Sequence, residues 1–187
     1  MSRPNLHVAL IHHPVVSKNG DSIASAVTNL DLHDIARTSK TYGVRSFYVV
    51  TPLKDQAKLV DKIVAHWVTG AGGDYNPLRR EALLLIRLKE SYEDVLADIR
   101  QEENQEPITV ATSARARPSL LSFEKFKGLL DKGVPVVLAL GTAWGLAETF
   151  LEQSDYVLEP LKGSTDYNHL PVRSAAAIML DRVLGCR

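Results

Sequence analysis

The sequence predicts an α/β fold with a mostly parallel, six-stranded sheet that carries helices on both faces. Six short apolar runs are continuous rather than alternating, which is typical of strands buried on both faces. Amphipathic stretches separate most of these runs, and strands that alternate with helices favour a parallel sheet. The predicted strands are residues 7–11, 45–52, 84–88, 107–111, 136–140 and 156–158.

The composition predicts a single domain over residues 1–187, because 187 residues with 45% apolar content suffice for one buried core and are short for two. Lys plus Arg equals Asp plus Glu at 22 each, so an RNA partner would need a local basic patch. The single cysteine, Cys186, fits a reducing compartment. Residues 1–5 are polar, unlike a signal peptide, and no apolar run approaches about 20 residues. We therefore expect a cytoplasmic protein that does not enter a membrane.

His12 and His13 follow the first strand and are adjacent candidates for metal ligands. Neighbouring strand residues point to opposite faces, and no third ligand stands with this pair. The pattern favours a strand end that enters a loop, and we expect no metal site.

The first helix begins near Thr28, a suitable cap, with Asp31 three residues later near the positive end of the helix dipole. Its inward stripe consists of Leu32, Ile35, Ala36, Ser39 and Tyr42. Arg37 falls off this stripe, so spacing alone favours a solvated surface arginine.

Residues 54–67 predict a second amphipathic helix, and three glycines follow in the segment 69–77. A phosphate-binding glycine loop would have a strand directly before it and a Lys-Ser or Lys-Thr pair after it, and both are missing. We expect a mobile loop that faces the substrate. The run 83–88 is ambiguous between helix and strand, and we assign a strand at 84–88 and a helix at 91–103.

The last third of the chain places loops after three strands. Residues 112–118 follow one strand and suit a ligand-facing loop, with a plain turn as the alternative. A helix at 123–130 precedes the next strand. After that strand, two glycines in the loop 141–146 let the backbone turn sharply and approach a ligand. After the final strand come the loop 159–163, a polar segment and a last helix with Pro171 in its first turn.

This order of strand, glycine loop, strand, Pro-Leu-Lys-Gly loop and small-residue helix resembles the carboxy-terminal half of SPOUT-superfamily RNA methyltransferases. The resemblance covers almost the whole chain and is closest to a bacterial family found beside or joined to tRNA guanine-N1 methyltransferase. It implies a carboxy-terminal trefoil knot, S-adenosylmethionine as the cofactor, an RNA substrate and a homodimer.

Residues 31–38, with the Tyr-Gly-Val at 42–44, resemble the first motif of SPOUT ribose methyltransferases without gaps. The resemblance implies that Arg37 is the catalytic residue or positions an RNA phosphate. The segment differs from the motif at Asp31, where asparagine is usual, and at His33, where glycine is usual.

The resemblance also implies a cofactor site in three loops of the knot and in the loop after the strand 107–111. The expected cofactor-binding residues are Thr112, Ser113, Ala114, Leu140, Gly141, Thr142, Trp144, Gly145, Leu146, Glu159, Pro160, Leu161, Gly163, Asn168, His169, Leu170, Val172 and Ser174. Arg37, Arg115 and Arg173 are expected to bind the RNA substrate, with Arg117 completing a local basic patch. Glu159 and Asp166 are candidate bases or sulfonium partners, or else exposed loop carboxylates.

Two functions from different classes remain open at this point. The first is an S-adenosylmethionine-dependent methyltransferase of tRNA or rRNA that acts as a homodimer. The alternative is a non-catalytic module of the same fold that binds S-adenosylmethionine or RNA. A Rossmann dehydrogenase is least favoured, because no Gly-x-Gly-x-x-Gly turn follows the first strand.

Overall fold

The computed structural model describes residues 4–115 and 117–186. Ala116 of the predicted ligand-facing loop, and residues 1–3 and 187 of the predicted domain, lie outside the described residues. The strands are β1 (Leu6–Ile11), β2 (Val15–Val16), β3 (Ser22–Ile23), β4 (Ser46–Val50), β5 (Ile86–Lys89), β6 (Ile108–Thr112), β7 (Val136–Gly141) and β8 (Tyr156–Leu158). The helices are α1 (Asn29–Thr41), α2 (Lys54–Val68), α3 (Ala71–Tyr75), α4 (Pro77–Leu83), α5 (Tyr92–Glu103), α6 (Phe123–Leu130), α7 (Glu148–Gln153) and α8 (Val172–Leu184).

Six strands form one parallel sheet in the order β5-β4-β1-β7-β6-β8, which confirms the predicted fold class. In its centre, Ala9 of β1 lies between Tyr48 of β4 and Ala139 of β7. β2 and β3 form a separate antiparallel hairpin between β1 and α1. The carboxy-terminal knot that the resemblance implies stays a prediction.

Helices cover both faces of the sheet because successive residues of each strand point to opposite sides. Leu6, Val8 and Leu10 of β1 belong to one apolar core, to which α1, α4, α6 and α8 contribute. Ala9 and Ile11 belong to the second core, to which α5 and α7 contribute. Both cores include residues of the central strands, so the sheet is buried on each side. The loops that follow its strands therefore start from a well-packed sheet.

The segment 69–77 is not the mobile loop that its glycines predict, because it folds into α3 and the start of α4. Gly72 and Gly73 are buried against the end of α2. A Cβ atom on Gly73 would lie 2.6 Å from the carbonyl oxygen of Trp67, so the glycines permit close packing rather than motion. Asn76 caps α4 by accepting a hydrogen bond from the Arg79 amide at 3.0 Å, and Pro77 occupies the first helical turn. The following strand begins at Ile86 rather than at residue 84.

Among the described residues, none of the helices is both long and apolar enough to cross a bilayer.

Candidate functional site

The loops after β6, β7 and β8 leave the sheet at the same edge, because the three strands are parallel neighbours. Ligands of such sheets bind outside the carboxyl ends of the strands. Most of the predicted cofactor residues therefore lie at this end of the sheet, where the loops follow the spatial order β7, β6, β8.

The loop after β7 folds tightly over the end of its own strand. A Cβ atom on Gly141 would lie 2.6 Å from the amide nitrogen of Leu146, so a larger residue would push the loop outward. Ala143 and Gly145 have positive φ angles of 51° and 107°, which produce the sharp turn. Thr142 anchors the turn to β1, because its amide and its hydroxyl both donate hydrogen bonds to the carbonyl oxygen of Ile11, at 3.2 and 2.9 Å.

The hairpin β2–β3 holds the far side of the same loop. The amide of Val16 donates to the carbonyl oxygen of Gly145 at 2.9 Å, and the amide of Trp144 donates to the carbonyl oxygen of Val16 at 3.1 Å. The hydroxyl groups of Ser25 and Thr142 share a hydrogen bond at 2.5 Å. Sequence reasoning missed this support, for which the only local signal is a Val-Val pair before a polar turn.

The loops after β6 and β8 are joined to each other and to the sheet. The side-chain amide of Asn168 donates to the carbonyl oxygen of Ala114 at 3.0 Å. The buried hydroxyl of Thr112 donates to the carbonyl oxygen of Ala139 at 2.9 Å. The structure therefore brings together three of the predicted segments, around Thr112, Gly141 and Asn168.

Glu159 is occupied by a structural contact. Its carboxylate accepts a hydrogen bond from the Phe123 amide at 2.8 Å, at the start of α6. Its own amide donates to the carbonyl oxygen of Leu121 at 2.9 Å. Because this carboxylate caps a helix, Asp166 is the freer of the two candidate bases. Asp166 is exposed and lines a depression of about 400 Å³ together with Lys162, Gly163, Ser164, Thr165 and Asn168.

Several predicted cofactor residues have buried side chains and shape the loops rather than line an open surface. These residues are Leu140, Leu146, Pro160 and Leu161. Others are exposed at the sheet edge, namely Ala114, Trp144, Gly163, Asn168, His169 and Leu170. Ser113, Gly145, Val172 and Ser174 are half-buried, and the last two lie in the first turn of α8.

Arg37 lies on the exposed side of α1, as its spacing predicts. It lines an open groove of about 370 Å³ whose other walls are Asp34, Thr38, Thr41, Tyr42 and Ala177. Within one chain, the structure therefore groups Arg37 with α1 and α8 rather than with the lining of the depression beside β8.

Two arginines of the expected basic patch are paired with carboxylates. Arg173 lies 3.3 Å from Asp31 and 3.6 Å from Asp34, so it ties α8 to α1. Arg117 forms a bidentate ion pair with Glu148, which holds the pKa of that carboxyl below its ordinary value. Of the four arginines, Arg37 and Arg115 are the exposed ones.

His12 and His13 do not act as a pair. His12 is fully buried at the end of β1, and burial lowers its pKa to about 4, whereas His13 is exposed. In the part of the chain that the structure describes, no cluster of three or more histidine, cysteine or acidic residues has the arrangement of a metal site.

Comparison with known proteins identifies a matching family and similar sequences. The model of a family described as SAM-dependent RNA methyltransferase matches residues 5–185. A tRNA (guanine-N(1)-)-methyltransferase of Oleidesulfovibrio alaskensis is 46% identical over 181 residues, which are 97% of this chain and 42% of that protein. An uncharacterised protein of Aquifex aeolicus is 34% identical over 99% of this chain and 91% of its own length. The chain thus spans less than half of the first relative.

Solved structures show the same fold at low sequence identity. The TrmH/SpoU tRNA modifying enzyme of Aquifex aeolicus has a TM-score of 0.58 and 16% identity, over 97% of this chain and 74% of that one. The SpoU methyltransferase AviRb of Streptomyces viridochromogenes, solved with AdoMet, has a TM-score of 0.54 and 17% identity, over 98% and 58%. The chain therefore shares the overall fold of SpoU-type methyltransferases.

Proposed function

The chain belongs to the family of SAM-dependent RNA methyltransferases, and we propose that it transfers a methyl group from S-adenosylmethionine to tRNA or rRNA as a homodimer. The observation that carries the proposal is the family match over residues 5–185. It is supported by three neighbouring loops at one end of the sheet, of which two are joined to each other and the third is fixed by β1 and β2.

The loops suit a nucleoside cofactor held mainly by backbone groups. Gly141 leaves no room for a side chain, and the turn that follows it is fixed from both sides by β1 and β2. Preorganised amide and carbonyl groups recognise the edges of a purine without a charged side chain. Bound S-adenosylmethionine supplies an electrophilic methyl group on a sulfonium. The chain then has to align the acceptor, exclude water and accept a proton.

Arg37 is the proposed catalytic residue, through contact with the acceptor phosphate or with the group that loses its proton. A guanidinium stays charged and binds phosphate through two parallel hydrogen bonds. The groove around Arg37 lies on the α1–α8 side. We therefore propose that a homodimer places Arg37 of one protomer beside the cofactor loops of its partner.

A tRNA substrate is supported by the name of the first relative, although this chain matches only 42% of that protein. Guanine N1 is one candidate acceptor, provided that the matched part of the relative carries the named activity. Comparison of modified nucleosides in RNA from cells with and without the gene identifies the acceptor atom.

Calorimetry with S-adenosylmethionine and its demethylated product tests cofactor binding. We expect a dissociation constant on the micromolar scale, about 8 kcal/mol. Gly141→Val should abolish binding because its side chain meets Leu146, while Gly128→Ala in α6, which has open space around it, should bind normally.

Methyl transfer to RNA from cells lacking the gene tests the activity. Transfer of labelled methyl groups to a single RNA class supports the proposal. Lack of binding to either cofactor form at millimolar concentration contradicts it. Cofactor binding without transfer to any RNA would identify a binding module instead.

A further inference from the structure

Three aromatic side chains stand at the edge of the proposed cofactor loops. Trp144 follows β7, and Tyr167 and His169 follow β8. The exposed fraction is 53% for Trp144 and 75% for Tyr167. Large aromatic groups contribute most to stability when buried, so their exposure at a binding edge favours a role in recognition.

Hydrogen bonds hold the loops that carry these rings while the ring faces remain open. The Trp144 amide donates to the Val16 carbonyl oxygen, and the side chain of Asn168, between the other two aromatic residues, donates to the Ala114 carbonyl oxygen. The rings of Trp144 and His169 are nearly parallel, with planes 24° apart and centroids 6.4 Å apart. The ring of Tyr167 meets His169 edge-on at 6.4 Å. Such separations lie near the upper limit for aromatic pairs, so the rings fill little of each other's surface.

The proposed reaction requires an acceptor nucleotide that can reach the methyl group. A nucleotide inside a continuous helix is stacked between its neighbours, and bringing it into a protein site costs that stacking. Aromatic side chains that stack on an unpaired base restore this stacking free energy, and they do so for any of the four bases. The net charge of zero provides no bulk attraction to phosphates, which gives stacking a larger share of the affinity.

We propose that Trp144, Tyr167 and His169 form a stacking surface for an unpaired nucleobase of RNA beside the acceptor nucleotide. This inference rests on the proposed function and deepens it by naming the substrate class, which is RNA with an unstacked loop, bulge or end rather than a continuous duplex. The backbone of the β7 loop serves the cofactor, and the Trp144 ring serves the RNA.

Fluorescence anisotropy with a labelled single-stranded RNA of about 12 nucleotides, and with the same strand in a duplex, tests the surface. Wild type should prefer the single strand. Trp144→Ala and Tyr167→Ala should each weaken that binding by about 5- to 100-fold, and Trp144→Phe should retain most of it. Tyr75→Ala is the matched control, because Tyr75 is 88% exposed on α3, away from these loops.

Calorimetry with S-adenosylmethionine on the same proteins separates the two proposals. Normal cofactor affinity in Tyr167→Ala, with weakened binding of single-stranded RNA, supports the stacking surface. If both variants bind single-stranded RNA as tightly as wild type, the stacking surface is overturned. That result is expected of a surface that binds a protein instead. Equal affinity for duplex and single strand also overturns the stacking surface, as does a Trp144→Ala protein that loses only cofactor affinity. A wild type that binds no S-adenosylmethionine contradicts the proposed function, while the RNA measurements still decide the stacking surface.

Discussion

Arg37 combines an exposed position with a role in the proposed chemistry, so stability and activity should respond differently to its loss. Arg37→Ala should change the free energy of unfolding by about 0.5 kcal/mol or less, because the side chain lies outside the core. Turnover should fall roughly 100-fold or more with cofactor affinity nearly unchanged. Thermal melting, calorimetry and methyl transfer on one purified variant measure all three.

Lys40→Ala is the matched control for Arg37. Lys40 is also exposed on α1 and forms a surface ion pair with Glu81 at 3.4 Å. Surface pairs contribute little, so this variant should keep both stability and turnover. Equal turnover in Arg37→Ala and Lys40→Ala would show that Arg37 has no role in catalysis.

Two buried histidines predict how stability depends on pH. Burial lowers the pKa of His7 and of His12 from 6.5 to about 4. The unfolded chain therefore binds more protons between pH 6.5 and 4, and stability is full above that window and falls as the pH drops through it. From pH 7.5 to 5 each histidine should cost about 2 kcal/mol.

Urea unfolding at several pH values measures this loss. His12→Gln should be less stable than wild type at pH 7.5 but should show a smaller change between pH 7.5 and 5. An unchanged slope in this variant would show that His12 is protonated equally in both states.

At the scale of elements, Arg173 adds ion pairs to the contact between α8 and α1. The side chain of Asp31 is 11% exposed and has Arg173 as a partner, with Thr28 donating a further hydrogen bond. Arg173→Ala should lower the free energy of unfolding by about 1–3 kcal/mol, because it leaves a nearly buried carboxylate without its cation.

A double-mutant cycle tests the origin of that loss. In the Arg173→Ala background, Asp31→Asn removes the unpaired charge and should recover part of the stability, although it destabilises the wild type. Additive effects of the two changes in urea unfolding would show that the pair contributes no coupling.

The sequence predicts elements whose signals are local and misses those that depend on distant contacts. The six strands follow from continuous apolar runs, and α5 follows from its Ser91 cap, which forms the full capping box with Asp94. Gly72 and Gly73 have the same local signal as a flexible loop, and only their packing against α2 distinguishes them. The hairpin β2–β3 has two residues in each strand, too few for a periodic pattern.

In the candidate site, too, the sequence predicts the features that have a local signal and misses those that depend on distant contacts. A glycine loop after β7 is visible in the sequence, and Gly141 does approach the backbone of its own loop closely. The capping role of Glu159 was not predictable, because its partner Phe123 is 36 residues earlier in the chain. The ion pairs of Arg173 were not predictable for the same reason, since its carboxylate partners lie on the first helix, and its contact with RNA stays a prediction.

At the scale of the whole molecule, the proposed homodimer predicts the mass in solution. Sedimentation at micromolar concentration should give twice the mass of one chain. Mixing Arg37→Ala with a Gly141→Val protein should restore some activity, because a mixed dimer has one site with both residues intact. A monomer that methylates RNA would contradict the shared site and the proposed position of Arg37.

The central position of β7 has a consequence for how the site comes into being during synthesis. β7 pairs with β1, about 130 residues earlier, and the turn after β7 is held by residues 11, 16 and 25. While a ribosome is still translating residues 30–135, β1 has no neighbour on that side, and the proposed cofactor loops have no strand to support them. Pairing of such distant segments is slow, so a nascent chain acquires its structure on β4 and β5 early and the edge proposed to bind the cofactor only at the end.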